Sequence, residues 1–263
     1  MPYGTPPVAR QLEHGRFNRF LSTLPPHEFS LLAPHLRTVT LERGVMLQDV
    51  GEEIEHVYFP HTGMVSLVAV MQSGATVETA TIGRWGVIGA SAGLGARWAV
   101  SRAIVQLPGT AAWISASHFQ AAAAQGTAIR NLVVRYDDVL LAQIQQSVAC
   151  NALHAMEARL CRWLLQTHDC IDGNAIPLTQ EFLGQMLGVR RTTVTIAARL
   201  LQGAGLIRYR RGLIQILDRG AVEEIACECY AATRANAEKI FPSSPSPPRD
   251  STPQNPAISP RNR

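Results

Sequence analysis

Thr179 to Leu201 reads TQEFLGQMLGVRRTTVTIAARLL, and its spacing predicts two short helices around a fixed turn. Gly184 lets two crossing helices approach closely, Gly188 suits the positive φ of a tight turn, and Leu183, Leu187, Val189 and Val194 supply a shared apolar seam. The second helix opens with Arg190, Arg191, Thr192, Thr193 and Thr195, where a recognition helix meets base edges and phosphates. Thr179 and Gln180 at the head of the first helix and Arg199 further along the second complete the candidate DNA-contacting set. Taken alone, the pattern also fits an ordinary αα-hairpin whose glycine marks only a tight connection.

The residues that follow narrow the choice. Gly205-Leu206-Ile207-Arg208-Tyr209 leads through Arg210-Arg211-Gly212 into Leu213-Ile214-Gln215-Ile216-Leu217, two apolar runs around a basic turn, which is a β-hairpin signal. A hairpin directly after the second helix makes a winged helix, and Arg208, Arg210 and Arg211 give its wing a phosphate-binding edge. The plainer reading of the same arginines is a solvated basic turn.

Composition bounds the rest. The chain has 263 residues, 46% hydrophobic and 17% charged, the balance of a globular protein with a real core. A net charge of +4 permits nucleic-acid binding without demanding it, so the local arginine clusters carry more information than the total. The leader MPYGTPPVARQLEHGRF has no apolar h-region, and no run is long and apolar enough to cross a bilayer, so a cytoplasmic location with no membrane partner is expected. Five cysteines, Cys150, Cys161, Cys170, Cys227 and Cys229, form no CxxC pair and read as reduced thiols.

Upstream, Phe17 to Leu36 carries apolar residues interrupted by Pro25-Pro26 and predicts two short helices. From Thr38 to about Ser115 short β-type runs, such as His56–Phe59, Met64–Val70, Thr76–Ile82 and Arg102–Val105, are punctuated by glycine, and an antiparallel β-roll or barrel follows. Thr127 to Cys150 is the longest helical segment. Ile129, Leu132, Tyr136 and Val139 form one apolar stripe, and Val133, Leu140 and Ile144 an adjoining one. One stripe is expected on the roll and the other on the same helix of a second subunit, the alternative being burial of both within a monomer. A further helix is expected from about Ala152 to His168, and a last one, capped by Asp218, through about Lys239. The organisation is therefore an α+β chain: an antiparallel β-roll sensor domain over 16–126, a central dimerisation helix over 127–150, a winged helix-turn-helix over 151–240 and a proline- and serine-rich disordered tail over 241–263.

In that order these parts resemble the Crp/Fnr family of bacterial transcription regulators, on the strength of Leu41-Glu42-Arg43-Gly44 opening the roll, Tyr58-Phe59 before Gly63, Gly86-Val87-Ile88-Gly89 and the helix-turn-helix. The resemblance covers roughly Arg16 to Tyr230. It implies a homodimer that binds two-fold symmetric double-stranded DNA, contacts RNA polymerase and is governed by an effector sensed in the amino-terminal domain. The family's reading helix carries Arg, then Glu, and later another Arg. Here Arg191 matches the first, whereas Thr192 stands at the glutamate position and Ile196 at the later arginine. Arg191 retains a bidentate contact to guanine, but threonines cannot reproduce a glutamate accepting from cytosine N4.

The effector site departs further. Cyclic-nucleotide-binding members follow the cassette glycine with a glutamate and, some ten residues on, an arginine for the cyclic phosphate. In this chain Gly89 is followed by Ala90, and Ser101 occupies the arginine position with Arg102 one place later. A one-residue shift turns a strand side chain to the opposite face, so weak or no cyclic AMP binding is expected, and the small-molecule effector is left unidentified. No cofactor is implied. An iron-sulfur mechanism needs an amino-terminal cysteine cluster, and no cysteine precedes Cys150. His56, His61 and His118 lie in the sensor domain without metal-ligand spacing, so no metal site is expected. Cys227 and Cys229 on one continuous helix would diverge by about 200°, one packed in the core and the other partly exposed. Two other function classes fit a glycine-rich roll: a cupin-like metal enzyme, for which no inward cluster of His and carboxylate ligands is seen, and a DNA-binding or protein-interaction scaffold without sequence preference.

Overall fold

The computed structural model describes residues 18–171 and 173–241, so Phe17, the leader before it and residues 242–263 of the expected disordered tail lie outside the described residues. Helices α1 (Arg19–Thr23) and α2 (Pro26–Leu32) form the expected leading pair. Asn18 anchors them: its side-chain oxygen accepts the Leu21 N–H that opens α1, and its amide donates to the carbonyls of Pro60 and Gly86 at 2.9 and 3.0 Å.

The strands are β1 (Arg37–Leu41), β2 (Met46–Gln48), β3 (His56–Pro60), β4 (Met64–Val70), β5 (Thr76–Ile82), β6 (Arg102–Leu107) and β7 (Gly109–Ser115). They make two antiparallel sheets, β1-β7-β3 and β2-β6-β4-β5. Period-two alternation sends Leu41, Val65, Leu67, Ala80, Ile82, Ala103 and Val105 into one buried apolar cluster with Ile88 and Ala111, which fills the roll with side chains.

Helix α3 (Ala116–Gln125) leads into α4 (Thr127–Leu153), three residues longer than the sequence indicates. The Glu28 carboxylate caps α4 from outside, accepting the N–H groups of Ala128 and Ile129 at 2.9 and 2.7 Å. The stripe Ile129, Leu132, Tyr136 and Val139 packs as expected into the core shared by the leading helices and the roll. The second stripe does not face outward. Val133 is fully buried in that core, and Leu140 and Ile144 lie against the roll's inner cluster. Besides Leu153 at its end, the large apolar residues that α4 leaves exposed are Val134, Leu141 and Val148, at 45%, 54% and 65%, one helical register away.

After a break at His154-Ala155, α5 runs Met156–Asp169 and so begins four residues later than Ala152. The last helix is also two. Asp218 caps α8 (Arg219–Ile225) by accepting the Ala221 N–H at 3.0 Å, as expected, but α9 (Cys229–Ile240) starts separately. Helix α9 returns along α4 and delivers Ile240 and Phe241 to the leading core, the Phe241 ring lying 6.3 Å from those of Phe20 and Tyr136. Among the described residues no helix is long and apolar enough to cross a membrane.

Candidate nucleic-acid interface

The decisive stretch folds as its spacing predicts. Helix α6 spans Gln180–Leu187 and α7 spans Arg191–Gly203, with Thr179 capping the first by accepting the Phe182 N–H at 3.2 Å. Gly188 ends α6 at φ +64°, the left-handed conformation that lets the chain reverse. At Gly184 a Cβ would lie 2.9 Å from the Val189 carbonyl oxygen, so only glycine allows the turn to fold back over α6. Leu183, Leu187 and Val194 are buried between the helices, with Val189 packed at the edge of the same core.

Helix α7 is amphipathic in a way that sorts the candidate residues. Val194, Ala197, Ala198 and Leu201 face the core, whereas Arg190, Arg191, Thr192 and Arg199 are exposed and Thr193 half-buried. Ile196 joins the outward face at 59% exposure, an apolar side chain set among arginines and threonines that the motif alone did not mark. Thr195 and Gln180 turn to each other: the Thr195 hydroxyl donates to Gln180 Oε1 at 2.7 Å and lies 3.0 Å from the Arg191 carbonyl. The Gln180 and Thr195 side chains thus hold α6 against α7, whereas the exposed Thr179 uses its hydroxyl to cap α6.

The wing is a three-stranded sheet in which β10 (Leu213–Ile216) lies between β8 (Ala175–Pro177) and β9 (Ile207–Arg210). Its two-residue loop, Arg211-Gly212, has both residues at positive φ, +49° and +76°, the geometry a tight hairpin requires. Arg208 and Arg210 share one face of β9, and with Arg211 all three are exposed. Tyr209 points the other way and donates to the Leu178 carbonyl at 3.1 Å. Thr179, Gln180, Glu181, Arg191, Tyr209, Arg211 and Gly212 line an open cleft of about 430 Å³ between the head of α6 and the wing tip. Among the described residues, Arg190, Arg191, Arg199, Arg208, Arg210 and Arg211 form no ion pair. Six exposed arginines of the reading helix and wing that form no ion pair, with Glu181 the one carboxylate lining the cleft, suit a polyanion.

The winged helix shares a core with the roll. Met64, Val68 and Leu107 pack with Trp163, Leu183, Met186 and Leu187; the Arg43 guanidinium lies 5.5 Å from the Phe182 ring centroid and donates to the Pro177 carbonyl at 3.2 Å. The Trp163 indole N–H donates at 2.8 Å to the carboxylate of Glu78 on β5, whose other oxygen accepts from the Ser66 hydroxyl. Burial pushes the Glu78 carboxyl up to about 7, against the Ser66 hydrogen bond, the Arg162 charge and the Trp163 bond, which favour ionisation.

In the roll, Gly89 takes φ +78° and opens a short 3-10 helix, Ala90–Leu94, with Ala90 buried. Ala103 and Val105 point into the roll, so Arg102 stands on the outer face of β6, and its guanidinium meets the Asp49 carboxylate in a two-point pair at 2.8 and 2.6 Å. Hydrogen bonding to Arg102 holds the Asp49 carboxyl below the usual range. Ser101, at the family's arginine position, is half-buried, and its carbonyl accepts from Gln48 at 3.1 Å. His56, His61 and His118 stay apart: His56 lies edge-on to Trp113 at 4.2 Å, His118 stacks on His35 at 4.0 Å, and His61 is buried elsewhere.

Residues 158–225 match the model of the Crp-like helix-turn-helix domain. No curated protein matches the chain in sequence. Among solved structures, FixK2 from Bradyrhizobium japonicum is similar at TM-score 0.63 and 15% identity, the match covering 73% of this chain and 98% of that one. A transcriptional regulator of the Crp/Fnr family from Eubacterium rectale matches at TM-score 0.63 and 17% identity over 80% and 98% of the two chains. CLP, a c-di-GMP-responsive global regulator from Xanthomonas campestris, matches at TM-score 0.59 and 14% identity over 74% and 100%. The chain has the Crp/Fnr regulator fold and carries a Crp-like helix-turn-helix domain.

Proposed function

We infer, from a Crp-like helix-turn-helix carried on a Crp/Fnr fold, that this protein is a transcription regulator that reads two-fold symmetric DNA as a homodimer. The observation that carries the reading is the outward face of α7, where Arg191, Thr192, Ile196 and Arg199 stand exposed beside the arginines of the wing. Arg191 reads a guanine, Ile196 and Thr192 contact thymine methyls, and Arg208, Arg210 and Arg211 hold phosphates. The dimer forms along Val134, Leu141 and Val148, whose seven-residue spacing on α4 is that of one seam position in a two-stranded coiled coil. The effector is not cyclic AMP: Arg102 is committed to Asp49 outside the roll, and the roll's interior is filled with apolar side chains. A cyclic phosphate there would lack a charge partner.

Selection of bound duplexes from a random library tests this directly. A palindrome with half-sites about one helical turn apart is expected. Arg191→Ala then relaxes preference at one base pair per half-site by about 1 to 3 kcal/mol, whereas Arg210→Ala weakens all duplexes alike and lowers the salt dependence. Equal losses on every duplex from both changes would refute the assignment. Low-micromolar binding of cyclic AMP in calorimetry would overturn the effector reading.

A further inference from the structure

Four metal-ligating side chains that the DNA-reading surface does not use meet where α4 ends and α9 begins. Cys150 and His154 are four residues apart at the end of α4 and project from one face; Cys227 sits in the break between α8 and α9, and Cys229 opens α9. The break overturns the divergence expected of a continuous helix. Both cysteines are buried, and they converge on Cys150 rather than pointing apart. The Sγ atoms of Cys150 and Cys227 are 3.5 Å apart, His154 Nδ1 is 3.4 Å from Cys229 Sγ, and all four ligand atoms lie within 4.8 Å of one another. A tetrahedral ion with sulfur at about 2.3 Å spaces its ligands by about 3.8 Å, so the two short pairs already stand near that spacing and the remaining pairs, all within 4.8 Å, need to close by no more than about 1 Å.

We propose that Cys150, His154, Cys227 and Cys229 form a Cys3His site for one zinc-type divalent ion, which fastens the end of the long helix to the last helix. The surroundings are those of a metal site. Glu228 Oε1 lies 3.1 Å from His154 Nε2, placed to accept a hydrogen bond from an Nε2–H, the tautomer that leaves the Nδ1 lone pair facing the thiols. Gln146 donates to Cys229 Sγ at 3.0 Å, and the start of α9 favours negative charge on Cys229. Three thiolates and a neutral imidazole around a dication leave one net negative charge, which the buried Arg159 and Arg162 of α5 offset. Four protein ligands close the shell, as in a structural rather than a catalytic site. Their compactness fits a single ion, whereas an iron-sulfur cluster spreads its thiolates over several irons.

This site stands independently of the DNA-reading proposal and is tested without DNA. The full-length protein, reduced and freed of metal by chelation, is titrated with Co2+ and then with Zn2+. Tetrahedral Co2+ bands with sulfur-to-cobalt charge transfer are expected to saturate at one equivalent per chain and to vanish when Zn2+ is added. Cys150→Ser and Cys229→Ser should lose the charge-transfer band, and the double variant Cys161→Ser/Cys170→Ser, altering thiols outside the cluster, should keep it. Elemental analysis of the protein as purified should find about one zinc per chain. No saturable cobalt signal in the reduced wild-type chain would overturn the proposal, as would a signal that survives Cys150→Ser, Cys227→Ser and Cys229→Ser. A Cys150–Cys227 disulfide as the resident state, with no metal bound after its reduction, would also overturn it.

Discussion

Glu78→Gln offers the sharpest test of how the roll holds the winged helix. The Glu78 carboxyl is buried between Ser66 and the Trp163 indole, and burial raises its folded value from 4.5 to about 7. The folded state therefore binds this proton more tightly than the unfolded chain. The resulting stabilisation is complete below pH 4.5 and is lost as pH rises through 7. The displacement corresponds to about 3 kcal/mol in all, of which about 1 kcal/mol falls between about pH 6 and about pH 8. Glutamine removes the titration and keeps the contacts, because its amide retains an oxygen for the indole N–H and offers an N–H to the Ser66 hydroxyl. The assay is urea unfolding of both proteins at the two pH values, read as the difference between them so that other titrating groups cancel. The wild type should lose about 1 kcal/mol more than the variant on going to the higher pH. Equal pH dependence in the two proteins would refute the claim that a proton on Glu78 strengthens this junction.

Three further outcomes follow from the geometry. Gly188→Ala places a side chain at φ +64° with its Cβ 3.2 Å from Val77 of the roll, and should cost about 1 to 2 kcal/mol in chemical denaturation; an unchanged midpoint would mean the turn relaxes freely. Tyr136→Phe removes the hydroxyl that donates to the buried Val87 carbonyl at 2.9 Å, and a loss of about 1 to 3 kcal/mol is expected in the same measurement. Leu141→Glu puts a charge in the exposed seam of α4 and should convert the dimer to monomer in sedimentation velocity, with loss of palindrome binding and little change in far-ultraviolet circular dichroism; a dimer that persists would place the interface elsewhere.

The parts of this fold that were legible in the sequence are those whose causes are local. Gly184 and Gly188 mark a turn because backbone geometry demands it, Asp218 caps its helix within three residues, and the basic turn Arg210-Arg211-Gly212 closes a hairpin. What escaped depends on distant surfaces. Periodicity shows that α4 is apolar around much of its circumference, but only the roll decides that Val133, Leu140 and Ile144 turn inward while Val134, Leu141 and Val148 remain outside. No proline or glycine marks the break between α8 and α9, so Cys227 and Cys229 read as one helix, and their meeting with Cys150 joins positions 77 residues apart. The signal that was available is the four-residue spacing of Cys150 and His154, which places both on one helix face. The motif marks Thr195 by position alone, and it takes the fold to show its hydroxyl bonded to Gln180.

Helix α9 delivers Phe241 to a core built around Phe20, and the order of synthesis gives this contact a cost in time. At roughly 5 to 20 residues per second, the 221 positions between the two rings (241 minus 20) take a ribosome on the order of 10 to 40 s to make. From the time Tyr136 emerges until Phe241 follows, the leading helices and Tyr136 present an unfilled apolar socket, which exposes the nascent amino-terminal half to chaperone capture or premature association. Because the ends of the loop meet late, this closure belongs to the final stage of folding, and shortening the side chain at Phe241 should accelerate unfolding more than it slows folding.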